Sequence, residues 1–221
     1  MNNFNDKIEQ DHSNREFLEA TRIGDFEQVK YYLTSPLLKF HANINVNNNG
    51  ALINSCGLGH LDIIRYLLTS PELKEHADIH ARDDSALYWA GRMDHLHVIK
   101  YLLTSPELKE HSNINADEGA CFKVACEYGH EEIMKYLLTS KELKEKTNFN
   151  YAFIDACIYE KMDITSFMVF EMNIEKSSEI IDFLTENPNI EIENLFNTRE
   201  LNNELNNKLP LNISTEKKLK I

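Results

Sequence analysis

The chain has 221 residues, 42% of them hydrophobic, and a formal net charge of −13. That length allows one ordinary domain or one short array of repeats. The acidity argues against nucleic-acid binding, which needs a basic face to meet phosphates, and no apolar run is long enough to span a membrane.

Taken from the start, Met1 to Gln10 is polar and lacks an apolar run, so no signal peptide is expected. Residues 1–12 read as a polar lead-in. Beyond them the sequence repeats itself. The stretch Tyr66 to His76 returns unchanged at Tyr101 to His111, returns as Tyr136 to Lys146 with Lys141 replacing the proline, and is present in worn form at Tyr31 to His41. The spacing is 35 residues each time, the mark of a repeat architecture. Five units follow, at 13–47, 48–82, 83–117, 118–150 and 151–173, the last shortened by four residues between Asn150 and Tyr151.

Each unit reads as two helices and a turn. In the second, Ala51 to Leu58 predicts a short helix ending at Gly59, whose missing Cβ suits a helix C-terminus. Leu61 to Leu68 predicts a second helix with Ile63, Ile64, Leu67 and Leu68 on one face. Ser70-Pro71-Glu72 supplies a cap, a proline and an early acid, so Pro71 to His76 is expected to add a helical turn. Ala77 to about Asp84 then returns as an extended, Asn/Asp-rich loop. Helices this short cannot bury an apolar face alone and must stack on copies of themselves.

After residue 173 the pattern ends. Ser178 to Glu186 reads as a helix, Asn187-Pro188-Asn189 as a break, and Ile190 to Leu209 as a second amphipathic segment. Residues 174–209 are thus expected to form a helical cap over the last repeat, and 210–221 a flexible tail.

The units resemble ankyrin repeats, in the manner of divergent bacterial or large-virus members of that family. Its pattern runs Thr-Pro-Leu-His-x-Ala-Ala-x-x-Gly-His, then an Ile/Val–Leu-Leu helix, then Gly-Ala-Asp-x-Asn-Ala. Leu52, Ser55, Cys56, Gly59 and His60 fit the first part, Leu67 and Leu68 the second, and Ala77-Asp78-Ile79-His80-Ala81 the third. Phe122, Ala125, Cys126, Gly129 and His130 repeat the fit in the fourth unit. The resemblance covers residues 13–173. It implies an all-α fold, an ankyrin-type helix-turn-helix solenoid with a helical C-terminal cap. It also implies protein binding through the fingertips and the inner, concave face of the first helices. The Thr-Pro pair is missing, as at Ser85-Ala86 and Ala120-Cys121. Against the family's 33-residue unit, the finger is about three residues shorter and the segment after the second helix about five longer. Clipped fingers move the expected contact surface to the inner helices.

The chemistry-bearing residues follow the repeat. Cys56, Cys126 and Cys157 share one position, filled by Gly91 in the third unit, and read as small buried thiols of a reducing cytosol. His60, His95 and His130 form one column and His41, His76 and His111 another. Copies about 10 Å apart cannot share a metal, and His95 and His97, two residues apart on a helix, should point different ways. Asp83-Asp84 reads as a solvated turn. There is no glycine-rich phosphate loop, no Gly-x-Ser-x-Gly and no His-Glu-x-x-His. The reading is therefore a non-catalytic protein with no cofactor and no metal.

The informative column is the residue before the turn between helices: Ile23, Leu58, Met93, Tyr128 and Tyr159. Such an apolar stripe either forms an interface along the groove or packs against the next unit as core. Trp89, one turn back from Met93, joins it, and Arg22, Arg92 and Glu127 give a polar rim. The candidate partner-binding residues are Leu58, Trp89, Arg92, Met93, Glu127, Tyr128 and Tyr159. The function expected is protein–protein interaction by a cytoplasmic monomer, its partner basic if charge steers the encounter, with no nucleic acid or membrane involved. Two alternatives are an inhibitor or immunity protein occluding a basic toxin or enzyme surface, and a host-directed effector working in a host cytosol.

Overall fold

The computed structural model describes residues 2–143 and 145–208, and every element in them is a helix. The chain forms two compact units, 1–152 and 153–221. The expected tail at 210–221 lies outside the described residues.

In the first unit, inner helices α1 (Asn2–Ile23), α3 (Val46–Leu58), α5 (Ala81–Arg92) and α7 (Ala116–Tyr128) pack side by side. Outer helices α2 (Phe26–Thr34), α4 (Leu61–Thr69), α6 (Leu96–Thr104) and α8 (Glu131–Thr139) each pack on the inner helix before them. α9 (Phe149–Ile158) spans the boundary between the two units. The outer helices bury the face their spacing predicts, with Ile63, Ile64 and Leu67 in α4 and Val98, Ile99 and Leu102 in α6 fully enclosed. Adjacent outer helices are also tied by cations over tyrosine rings: Lys30 lies 5.6 Å from Tyr66, Arg65 5.3 Å from Tyr101 and Lys100 5.3 Å from Tyr136.

Residues 2–12 are not a separate segment, because they continue α1. Polar ties hold them to the long first turn: Asp6 pairs with Lys39 at 2.6 Å, Gln10 Nε2 donates to the His41 carbonyl at 2.7 Å and Ser13 Oγ to that of Phe40 at 2.9 Å.

The expected helical turn at Pro71 to His76 does not form. The helix stops at Thr69, and a single bond from Leu73 N to the Ser70 carbonyl at 3.2 Å closes one tight turn. The His76 ring then bonds to the same Ser70 carbonyl at 2.9 Å. His41 and His111 bond the Ser35 and Ser105 carbonyls in the same way. Six residues cannot repay helix nucleation, and here the competing partner is a side chain.

The segment leading to Asp84 is not simply extended. Arg82, Asp83 and Asp84 have φ of 52°, 57° and 56°, so the chain makes one left-handed turn before α5 becomes regular. Asn47-Asn48-Asn49 and Asp117-Glu118-Gly119 do the same before α3 and α7. Nor is Asp84 solvated: it is 5% exposed, and Asn49 is 4% exposed. Each side chain accepts from the backbone of the loop that leads into the next inner helix. Asn49 Oδ1 takes the Asp78 N–H at 2.8 Å and Asp84 Oδ1 that of Asn113 at 3.0 Å. Asn14 Oδ1 serves Asn43 at 2.8 Å. Where Gly119 offers no acceptor, Asn115 Oδ1 serves Asn148 at 2.7 Å instead. The receiving residue folds its own side chain into an Asx turn, as when Asp78 Oδ1 accepts from His80 N at 2.9 Å.

Gly91 replaces cysteine in the third unit for a steric reason. A Cβ there would lie 2.8 Å from Cys121 Sγ and 3.2 Å from the Cys121 carbonyl oxygen.

In the second unit, α10 (Met162–Phe170) packs against α12 (Ile190–Lys208), with α11 (Ser178–Glu186) between them in sequence. Phe153 and Phe196 meet with centroids 5.6 Å apart. Arg199 lies 5.2 Å from the Phe196 ring centroid and donates to the Ile174 carbonyl. α12 therefore packs on both α10 and Phe153.

Two substitutions test these joints by chemical denaturation. Asn49→Gly removes the acceptor but keeps left-handed freedom, and should cost about 1–3 kcal/mol. Asn49→Ala should cost about 1 kcal/mol more, from the left-handed backbone alone. Gly91→Ala should destabilise by about 1–3 kcal/mol through overpacking. Adding Cys121→Ala should recover part of that loss, and strict additivity of the pair would exclude the proposed clash.

Candidate functional site

The column of residues before the inter-helix turn is exposed in the first unit. Ile23 is 58% exposed, Leu58 42%, Met93 49% and Tyr128 46%, while the fully enclosed core lies on the opposite sides of the same helices. The turn itself explains why. The next residue has positive φ, at Gly24, Gly59, Asp94 and Gly129, which turns the chain away and leaves the preceding side chain facing outward. Tyr159 occupies the matching place in the second unit, where it is half-buried, before Glu160 at φ 54°.

Around α5 and α7 the structure gathers three of the predicted residues into one cluster. Trp89, 39% exposed, lies against the Gly57 backbone of the previous repeat, where an added Cβ would sit 3.3 Å from its own Cβ. The Arg92 guanidinium lies 5.5 Å from the Trp89 ring centroid and 5.1 Å from that of Tyr128. Its Nη1 donates to the Tyr88 hydroxyl at 3.1 Å, and the Tyr88 and Trp89 rings meet edge to face at 5.5 Å. The Tyr88 hydroxyl, then Tyr128, with Glu127 adding to them, raise Arg92 above its ordinary pKa. Tyr128 in turn stacks on His130 at 6.0 Å, and His130 Nε2 bonds to the Arg92 carbonyl at 3.0 Å. Glu127 is exposed beside this cluster, and Leu58 stands one repeat away on α3. A cleft of about 340 Å³ continues past Tyr88 and Trp89 toward the left-handed turns, walled by Asp83 and Asp117.

Tyr88 is the member that sequence reasoning missed. Its only signal is its place four residues before Arg92, one helical turn away.

The other chemistry-bearing residues have structural posts. All four cysteines are buried, and burial alone pushes Cys121 up to about 12 and Cys56 higher still. Burial also raises Cys157 to about 12, against a Thr165 hydrogen bond that lowers it. The His60 and His95 rings lie on the left-handed glycines of the repeat before, Gly24 and Gly59, where a Cβ would come within 2.7 and 2.9 Å of them. His95 and His97 do not diverge. His95 is the residue before α6 rather than within it, and the two rings meet edge to face at 5.7 Å. They bond to the Gly57 and Gly59 carbonyls at 3.2 and 3.1 Å. Among the described residues no group of three His, Cys, Asp or Glu side chains could hold a metal ion, and no helix is long and apolar enough to cross a membrane.

Residues 17–117 match the family model for ankyrin repeats, in three copies. No curated protein and no solved structure matches the chain.

His95 gives a pH prediction. Burial is the largest influence and holds its pKa below 6.5; the Gly57 carbonyl opposes this, His97 adds to it and Asp94 opposes it. As pH falls below 6.5 the unfolded chain takes up this proton before the folded one, so folding stability should drop and then level off once the depressed folded value is passed. His95→Gln keeps a donor for the Gly57 carbonyl and removes the titration. Denaturation at about pH 7 and about pH 5 should show a smaller difference for the variant than for the native chain.

Proposed function

We propose that the chain, whose residues 17–117 match the ankyrin-repeat model, is a non-catalytic ankyrin-repeat module that holds a partner protein on the exposed inner-helix face of the first unit. Ankyrin repeats are in general protein–protein interaction modules, and stacked repeats offer long continuous surfaces for that purpose. The observation that carries the reading is the column Ile23, Leu58, Met93 and Tyr128, one large apolar side chain per repeat, all exposed. With Trp89 beside them they form the apolar, aromatic kind of surface that interface centres use. Arg92 and Glu127 supply the polar contacts.

A comparison within the chain supports the same face. Tyr66 to His76 and Tyr101 to His111 are identical, yet Ile53, Asn54, Gly57 and Leu58 in the second unit become Tyr88, Trp89, Arg92 and Met93 in the third. Divergence falls on the inner helix while the outer turn is copied. The cysteines and most histidines are occupied in packing or in bonding backbone carbonyls, which supports a role without catalysis.

The test compares the native chain with a Met93→Ser/Tyr128→Ser variant as baits for the same source proteins. Both substitutions lie at exposed positions, so the variant should melt within a few degrees of the native chain. A partner that binds the native chain and is lost with the variant is expected. Undiminished capture by a folded variant would move the binding surface elsewhere.

A further inference from the structure

Arg92 stands apart from the other arginines. In a chain with 36 acidic residues, Arg15, Arg22 and Arg65 each pair with a carboxylate, and Arg82 and Arg199 donate to backbone carbonyls. Among the described residues Arg92 has no carboxylate within ion-pair distance. It rests against the Trp89 and Tyr128 rings and gives one donor to the Tyr88 hydroxyl. A guanidinium has five N–H donors in one plane. Aromatic contacts on its faces leave its edge for bonding, and they fix its orientation before any ligand arrives.

Resting on the reading of the inner-helix face as the binding surface, we propose that Arg92 is an anchor for one Asp or Glu side chain of the partner, with the neighbouring apolar residue of that partner seated on Trp89, Met93 and Tyr128. The rings around Arg92 lower the cost of ordering it, and a carboxylate matches its planar fork. The carboxylate is a side chain rather than a chain terminus because the exposed column extends past the anchor. Leu58 and Ile23 lie on one side and Tyr128 on the other, so a bound segment continues across Arg92. The occupant is a single acid in a neutral or basic context. Net charge of −13 and Glu127 beside the site repel a cluster of acids.

The site carries its own reporter, since Trp89 is the only tryptophan in the chain. A random peptide library fused to phage through its C-terminus, and so without free terminal carboxylates, is selected on the full chain. The enriched peptides should share one Asp or Glu next to an apolar residue, and as synthetic peptides they should shift Trp89 emission. Replacing that acid by its amide should weaken binding by about tenfold or more. Arg92→Gln should weaken the parent peptide by a similar factor, with little further loss when both changes are combined. The peptide arm uses the native chain and so does not depend on how the variant folds. Peptides that shift Trp89 emission but tolerate the amide would overturn the anchor and leave the face standing. Bound peptides that leave Trp89 emission unchanged would overturn both.

Discussion

One hydrogen bond recurs along the first unit: a side-chain oxygen on or just before one inner helix accepts the backbone N–H of the loop that leads into the next inner helix. It satisfies an amide that the stacked loops would otherwise leave unpaired. At Asn47-Asn48-Asn49 and Arg82-Asp83-Asp84 the acceptor is the third residue of a left-handed turn, whereas Asn14 makes the same bond from within α1 and Asn115 from just before its turn. The backbone cost of that conformation is of the same order as the buried bond it permits. The joint is compact, and the inner helices begin almost at once after it.

That joint determines what the exposed face can carry. With the loops clipped, little projects beyond the inner helices, and their solvent side is open from Ile23 to Tyr128. Three inner helices end at a positive-φ residue against which a histidine of the next repeat packs, at Gly24 and Gly59 directly and at Asp94 through a 3.7 Å contact with His130. The same residue that ends the helix thus seats the next repeat and turns the preceding apolar side chain outward. The proposed interface and the scaffold share a backbone device.

Much of this was legible in the sequence, for physical reasons. The 35-residue identity marks stacking units, and the 3.6-residue spacing in Leu61 to Leu68 marks a buried helical face. Other parts were not. Ser70-Pro71-Glu72 is equally a helix start and a tight turn, and the choice is made by His76 reaching the Ser70 carbonyl. Asp84 is an acid and so reads as solvated; its burial depends on Asn113, 29 residues on. The first turns of α1 have no apolar periodicity, because their ties to residues 39–41 are polar. In the candidate site, the exposed column follows from repeat position. The Arg92 cluster does not, because Tyr88, Trp89 and Tyr128 come from two repeats and meet only when α5 and α7 pack.

The copied joint also bears on how such an array can change length. Its donors recur 35 residues apart, at 43, 78, 113 and 148. Removing or duplicating one whole period therefore brings an equivalent acceptor to an equivalent amide, and no new seam has to be invented. A gain or loss of part of a period has no such guarantee, since it displaces the acceptor from the amide it serves. The replacement of Gly119 by Asn115 as acceptor shows how far the device bends: the oxygen may come from a neighbouring side chain, while the amide that receives it keeps its place. The array is thus free in number and fixed in phase, and each added period brings one more outward-facing position that can diverge without disturbing its joints.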